Sequence, residues 1–245
     1  MIIKKINATE KRNETSPELV LFFAGWGMDE HPFLEYLPAD RDCLICYDYS
    51  SLSFDESLLS SYKRIRVVAW SMGVWAASQI LSCRDLPVTE SIAINGTPWP
   101  VDDERGIATT IFRGTLEGVN EKKLQKFRRR MCGSKEVLEH FMQHAPRRTI
   151  EDLYEELKQI GKQSTEQSGR RMENPAVATG IHLPHTRNSV FEWDKIYIGL
   201  QDKIFLPDNQ QKAWERKKTI MIDCEHYPYA LWQRLLHTKD IKPFS

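Results

Sequence analysis

The sequence predicts an α/β fold in which a mostly parallel central sheet carries helices on both faces and is interrupted by one inserted, mainly helical cap. Three observations carry that prediction. Six short apolar runs without polar alternation recur along the 245 residues, as strands covered on both faces require. The stretches between them are long enough for crossover helices. Between the fourth run and the fifth, from about Asn95 to Asp194, lies a long charged segment with helical periodicity. A chain of this length buries one large core, so a single core with an insertion is expected. Residues 1–95 and 194–245 are assigned to the core and 96–193 to the cap.

The strands are expected at Leu19–Ala24, Cys43–Tyr47, Ile65–Trp70, Ser91–Ile94, Lys195–Ile198 and Thr219–Ile222. A helix follows Ser71, because Val74, Ala77 and Leu81, flanked by Trp75 and Ile80, make one apolar face. Asp85-Leu86-Pro87 ends it. In the insertion, Leu124, Phe127 and Met131 line one face of a helix over Glu121–Met131 whose other faces are basic. A second helix is expected over Ile150–Ile160. Gly161–Ser189 carries few apolar residues and several Gly, Pro, Ser and Asn, and reads as a loop or weakly held lid. No internal repeat is visible.

Composition narrows the function classes. Lys plus Arg and Asp plus Glu both number 34, which gives no overall bias toward nucleic acid or a membrane surface. No apolar run approaches the roughly 20 residues of a membrane span. Met1–Ile6 lacks a secretory apolar region, so a cytoplasmic location is expected. The five cysteines are expected to be reduced and mostly buried. Cys43-Leu44-Ile45-Cys46 has redox spacing, yet residues three apart on a strand point to opposite faces of the sheet.

The chemistry-bearing stretch is Ala69-Trp70-Ser71-Met72-Gly73-Val74. A β-rich run ends on a serine and a helix begins at once, the signature of a tight turn that exposes Oγ and leaves the N–H of Met72 for an oxyanion. Ala69 stands where that motif usually has glycine. A serine nucleophile needs a base and an acid, in the chain order Ser, acid, His on this type of sheet. Asp202, after Ile196–Leu200, and His226, after Thr219–Asp223, meet the order at strand carboxyl ends. Asp194, Asp208 and Asp223 are alternative acids, and His237 an alternative base on a terminal helix. Ala24-Gly25-Trp26-Gly27 follows the first run and nominates the Trp26 N–H as second oxyanion donor.

Several of these motifs occur together: Phe22-Phe23-Ala24-Gly25-Trp26-Gly27, Ile45-Cys46-Tyr47-Asp48-Tyr49, Val68 to Trp75, Asn95-Gly96-Thr97, Phe112-Arg113-Gly114-Thr115-Leu116 and Glu225-His226-Tyr227. In them, from about Leu19 to Tyr227, the chain resembles the BioG family of pimeloyl-acyl-carrier-protein methyl ester esterases. The resemblance is thin over 161–189. It implies an α/β-hydrolase fold with a helical cap, carboxylic ester hydrolysis in biotin synthesis, and a triad at Ser71, Asp202 and His226. It also implies an acyl carrier protein bearing methyl pimeloyl as substrate.

Such carriers are acidic. From Arg113 to Arg130 there are seven basic residues against Glu117 and Glu121, which nominates Arg113, Lys122, Lys123, Lys126, Arg129 and Arg130 as a carrier-docking face. Serine chemistry of this kind calls for no metal or organic cofactor. A triad does not identify its leaving group, so another acyl ester or a thioester remains open at this stage. So does a carrier-binding module without activity. Oligomeric state is not readable from the sequence.

Overall fold

The computed structural model describes residues 1–10, 15–82, 84–173 and 191–237, with only the helical backbone over 167–173. Seven strands form one sheet: β1 (Ile2–Ile6), β2 (Glu18–Phe23), β3 (Asp42–Tyr47), β4 (Arg64–Trp70), β5 (Val88–Ile94), β6 (Lys195–Gly199) and β7 (Ile220–Ile222). Their order is β1-β3-β2-β4-β5-β6-β7. The six apolar runs became β2 to β7, and every pairing among them is parallel.

The strand that the apolar runs did not announce is β1, which pairs antiparallel with β3. As an edge strand it has a strand partner on one side only, and just Ile3 and Ile6 pack partly, each against a different core. Lys4 and Lys5 point into solvent and ion-pair with Glu30 and Asp42, so the segment has no continuous apolar run. Charged residues on an edge also discourage pairing with another chain.

Among the described residues, seven α-helices accompany the sheet: α1 (Met72–Leu81), α2 (Thr109–Leu116), α3 (Glu121–Cys132), α4 (Lys135–Gln143), α5 (Ile150–Glu173), α6 (Pro207–Ala213) and α7 (Trp232–His237). Alternate residues of β2 divide between two cores. Leu19, Leu21 and Phe23 join Val74, Trp75 and Ile80 of α1, whereas Val20 and Phe22 join Phe33 and Trp232 of α7 on the other face. The same alternation separates Cys46 from Cys43. Both thiols are free, and burial pushes Cys43 up to about 12 and Cys46 higher still. They are packing residues, without the thiolate that redox exchange needs.

Helices α2 to α5 make up the described part of the insertion between β5 and β6. Asn120 caps α3 by accepting from Lys123 N, and Ser134 caps α4 by accepting from Val137 N. The expected loop from Gly161 needs correction. Helix α5 runs unbroken to Glu173, while 174–190 lie outside the described residues. Gly161, Gln163 and Thr165, which signal a loop by residue type, each meet a partner here. A Cβ on Gly161 would stand 3.0 Å from Phe112 of α2, so glycine lets the two helices approach. Gln163 donates to Tyr49 O at 3.2 Å and Thr165 Oγ1 to Gly161 O at 3.0 Å. Helix α1 also stops short of the expected Pro87, at Leu81.

The first turn of α1 lies directly on the end of β2. A Cβ added to Gly73 would fall 2.2 Å from Phe23 O and 2.6 Å from Ala24 O, backbone atoms with no rotamer to yield. Gly73→Ala is therefore expected to lose at least about 3 kcal/mol of stability by overpacking, measured by urea denaturation. A midpoint equal to that of the parent would mean that the helix can shift without cost.

Candidate active site

Strand β4 ends at Trp70, α1 begins at Met72, and Ser71 between them has φ 60 and ψ −128. A residue with a side chain rarely adopts that conformation, and here it lifts Ser71 Oγ out of the sheet end. Oγ lies 2.9 Å from His226 Nε2. The other ring nitrogen, Nδ1, lies 2.9 Å from Asp202 Oδ2. Asp202 occupies the turn after β6 and His226 the loop after β7, and all three side chains are almost completely buried.

The surroundings of Asp202 prepare it for one partner. Its Oδ1 accepts from the N–H groups of Ile204 at 2.8 Å and Phe205 at 3.0 Å. Its Oδ2 accepts from Gln210 Nε2 at 3.0 Å as well as facing His226. A carboxylate so occupied is fixed in orientation, and its contact with Nδ1 selects the tautomer with hydrogen on that nitrogen, leaving the Nε2 lone pair toward Ser71. The alternative acids lie elsewhere. Asp194 accepts from Ser91 N and Oγ at the head of β6, Asp208 sits in the first turn of α6, and Asp223 takes a 3.4 Å bond from Gln201 Nε2. His237 closes α7.

His226 is also held by its backbone. Its carbonyl accepts from Trp70 Nε1 at 2.7 Å and from Asn95 Nδ2 at 3.0 Å. Asn95 is fully buried at the end of β5, donates further to Glu225 O at 2.8 Å, and accepts from Gly199 N at 2.7 Å. One side chain thereby ties the ends of β5, β6 and the β7 loop together. The ring itself stacks on Phe205. Of these supports, Asn95 carried a sequence signal, a polar residue opening Asn95-Gly96-Thr97 at a strand end. Gln210 and the Trp70 indole had none: the indole's partner lies 156 residues away, and Gln210 meets Asp202 only through the fold of the turn leading into α6.

Ser71 opens into a largely apolar cleft. Its walls are chiefly Trp26, Met72, Phe112, Phe127, Leu157 and Ile204, with Ile111 at the solvent side. Core and insertion contribute together. The loop Ala24–Gly27 lies against the serine, since a Cβ on Gly25 would come 3.1 Å from Ser71 Cβ. Trp26 is buried, meets Phe127 edge to face, and donates Nε1–H to Leu153 O of α5 at 3.0 Å.

The basic side chains nominated for docking, Arg113, Lys122, Lys123, Lys126, Arg129 and Arg130, are all exposed on α2 and α3. Arg130 and the exposed Lys203 reach the cleft itself. Arg128 is set apart from them, half-buried over the Phe141 ring. Two groups of potential metal ligands occur among the described residues, Glu35 with His140 and His144, and Asp29 with Glu30 and His31. Neither includes Ser71, Asp202 or His226, and each already contains a His–carboxylate contact. Among the described residues, no helix is long and apolar enough to cross a membrane.

Known proteins resemble this chain along most of its length. The family model described as pimeloyl-ACP methyl esterase BioG matches residues 7–239. A Bacteroides fragilis (strain 638R) protein named malonyl-[acyl-carrier protein] O-methyltransferase is 54% identical over 199 residues, which are 81% of this chain but only 37% of that protein. The crystal structure of BioG from Haemophilus influenzae superposes with a TM-score of 0.75 at 33% identity, covering 97% of each chain. The peroxisomal α/β-hydrolase Lpx1 of Saccharomyces cerevisiae shares the fold at a TM-score of 0.54 and 14% identity, covering 96% of this chain and 87% of that one. The expected α/β-hydrolase fold is thus the observed one.

The three-way tie at Asn95 generates a test. Asn95→Ala leaves the Gly199 N–H and the Glu225 carbonyl buried without these bonds, and is expected to cost about 2–3 kcal/mol of stability. Ester turnover should fall about 10- to 100-fold as the His226 loop drifts. Turnover at the parent level in a destabilised variant would show that Asn95 serves the fold alone.

Proposed function

The chain belongs to the BioG family of pimeloyl-ACP methyl esterases, and from that premise we propose that it is a serine carboxylesterase acting on methyl pimeloyl carried by an acyl carrier protein, in biotin synthesis. The observation that carries the proposal is the pair of 2.9 Å contacts joining Ser71, His226 and Asp202 at the floor of an apolar cleft. Ser71 Oγ attacks the methyl ester carbonyl while His226 Nε2 takes its proton and Asp202 holds the imidazolium. The N–H groups of Met72 and Trp26 receive the oxyanion. His226 returns the proton to the departing methoxide, and methanol leaves. Water then adds to the acyl-enzyme with His226 as base, releasing the carboxylate and restoring Ser71. The chain's own side chains supply every proton transfer, so the cycle closes without a cofactor.

The cleft suits the substrate. An aliphatic chain loses water contact against Phe112, Phe127, Leu157 and Ile204, whereas a free carboxylate would be costly to bury there. The methyl ester hides that charge until hydrolysis. The name of the B. fragilis relative supports the same chemistry from the opposite direction, since a methyl group placed on a carrier-bound acid has to be removed later. In this reading the acyl carrier sets the cytoplasm as the place of action. Its acidic surface meets the exposed Arg113, Lys122, Lys123, Lys126, Arg129 and Arg130, with Arg130 and Lys203 nearest the entering arm.

Two experiments test the reading. Incubation with methyl pimeloyl carrier protein should yield a carrier lighter by one CH₂, and Ser71→Ala, Asp202→Asn and His226→Ala should each lower turnover by about four orders of magnitude without adding. Release of the whole acyl chain would make the protein a thioesterase. No turnover on any ester, with Ser71 unlabelled by a fluorophosphonate, would leave a carrier-binding module. Reversing Lys122, Lys126 and Arg129 to glutamate should raise KM for the carrier-bound ester about tenfold or more and weaken its salt dependence. Small p-nitrophenyl esters should be unaffected. Equal losses on both would mean damage to the insertion, and unchanged kinetics would return α3 to an ordinary solvated face.

A further inference from the structure

One carboxylate in the insertion is buried without any part in the mechanism above. Glu156, on α5, is 0% exposed, and its two oxygens serve different loops of the core. Oε1 accepts from Tyr49 N at 3.1 Å, and Oε2 faces Gly27 N at 3.5 Å. Arg148 ion-pairs with the same carboxylate through Nη1 and with Asp48 Oδ2, at 3.2 Å, through Nη2. An isolated charge in this position would be strongly unfavourable. Even with its partner, a buried pair is seldom more stable than apolar packing of the same shape.

What the carboxylate supplies, and an apolar side chain cannot, is a pair of acceptors for backbone N–H groups. Gly27 has φ 77 and follows directly after Trp26. The indole of Trp26 is tied to Leu153 O, three residues before Glu156 and on the same face of α5. The peptide that bears the Trp26 N–H is thus followed directly by two tethers to one helix. A third hold runs through Tyr49. Its N–H is on Glu156, its carbonyl accepts from Gln163 Nε2 at 3.2 Å, and its hydroxyl donates to Ala24 O at 2.6 Å. Direct and indirect holds therefore converge on Ala24–Gly27.

We propose that Glu156 is a positioning residue for this loop, so that the insertion orients the oxyanion donor as well as walling the cleft. The proposal rests on the serine-esterase reading, in which the Trp26 N–H receives the oxyanion. Stabilisation of developing charge depends on donors held in place before the reaction. A loop closed by Gly27 has wide conformational freedom of its own, and Glu156 removes it.

The test is Glu156→Gln, in which one acceptor becomes a donor facing an N–H while Arg148 keeps Asp48 as its counter-charge. On a small p-nitrophenyl ester, kcat should fall about 10- to 100-fold with KM changed less than about threefold. A second readout is an alkyl trifluoromethyl ketone. Ser71 Oγ adds reversibly to its carbonyl carbon, the serine proton passes to His226, and the carbonyl oxygen becomes the oxyanion. Its affinity should weaken by the same factor as kcat/KM. A Glu156→Gln enzyme with parental kcat and ketone affinity, altered only in melting temperature or KM, would overturn the proposal and make Glu156 an anchor. Should that variant not fold, Glu156→Asp carries the test, since it keeps the charge beside Arg148 while shortening the reach to the Tyr49 and Gly27 N–H groups. Parallel losses of kcat and ketone affinity support the positioning role, and loss of stability alone refutes it. Ser71→Ala separates the two levels: if it is inactive while Glu156→Gln is normal, only this inference fails, whereas an active Ser71→Ala removes the esterase reading itself.

Discussion

The turn at Ser71 is the constraint on which the rest of the molecule depends. It is held at a positive φ because the chain must leave a buried parallel strand and enter a helix within one residue. Three glycines make that possible by proximity. Added Cβ atoms would strike Ser71 Cβ from Gly25, the Ser71 carbonyl from Gly96, and the Phe23 carbonyl from Gly73. The ends of β2, β4 and β5 therefore pack backbone to backbone around the serine. Strain of about 1–3 kcal/mol in such a turn is sustained by the two cores on either side of the sheet.

Around this turn, polar contacts decide geometry while apolar contacts supply stability. The backbone carbonyl of His226 receives two buried donors, and Asp202 receives three besides the imidazole. Each of those donors would be costly to leave unpaired, so the loops that carry them are confined to one arrangement. The insertion follows the same logic. Its inner faces meet the core through Leu153, Leu157 and Ile160, all buried, and through the charge-bearing clasp at Glu156 and Arg148. Its outer face is left to the exposed cations of α2 and α3, which explains how a chain with balanced overall charge keeps a locally basic surface.

Much of this was legible in advance. Parallel strands covered on both faces must be continuously apolar, so β2 to β7 were readable as short runs. The edge strand β1 packs only Ile3 and Ile6 partly, one against each core, beside two lysines, and fell below that signal. The serine, the acid and the histidine were legible because each follows a strand, at the sheet end where loops converge. The helix beyond Gly161 was not legible because small and polar residues signal a loop in isolation, yet in place Gly161 fits against Phe112 and Gln163 against Tyr49.

By itself, then, the sequence determined the strands, the turn at Ser71, the chain order of serine, acid and base, and the concentration of positive charge between Arg113 and Arg130. These depend on periodicity and on neighbours within a few residues, which a linear reading captures. Tertiary structure decided which acid faces His226, that Asn95, Gln210 and the Trp70 indole support it, and that Glu156 reaches Gly27 and Tyr49 from the insertion. The partners in these bonds are mostly separated by a hundred residues or more, and Gln210 reaches Asp202 only through the turn that leads into α6. Such bonds form because burial leaves a polar group no water to turn to, and that condition arises only once the sheet and its insertion have closed.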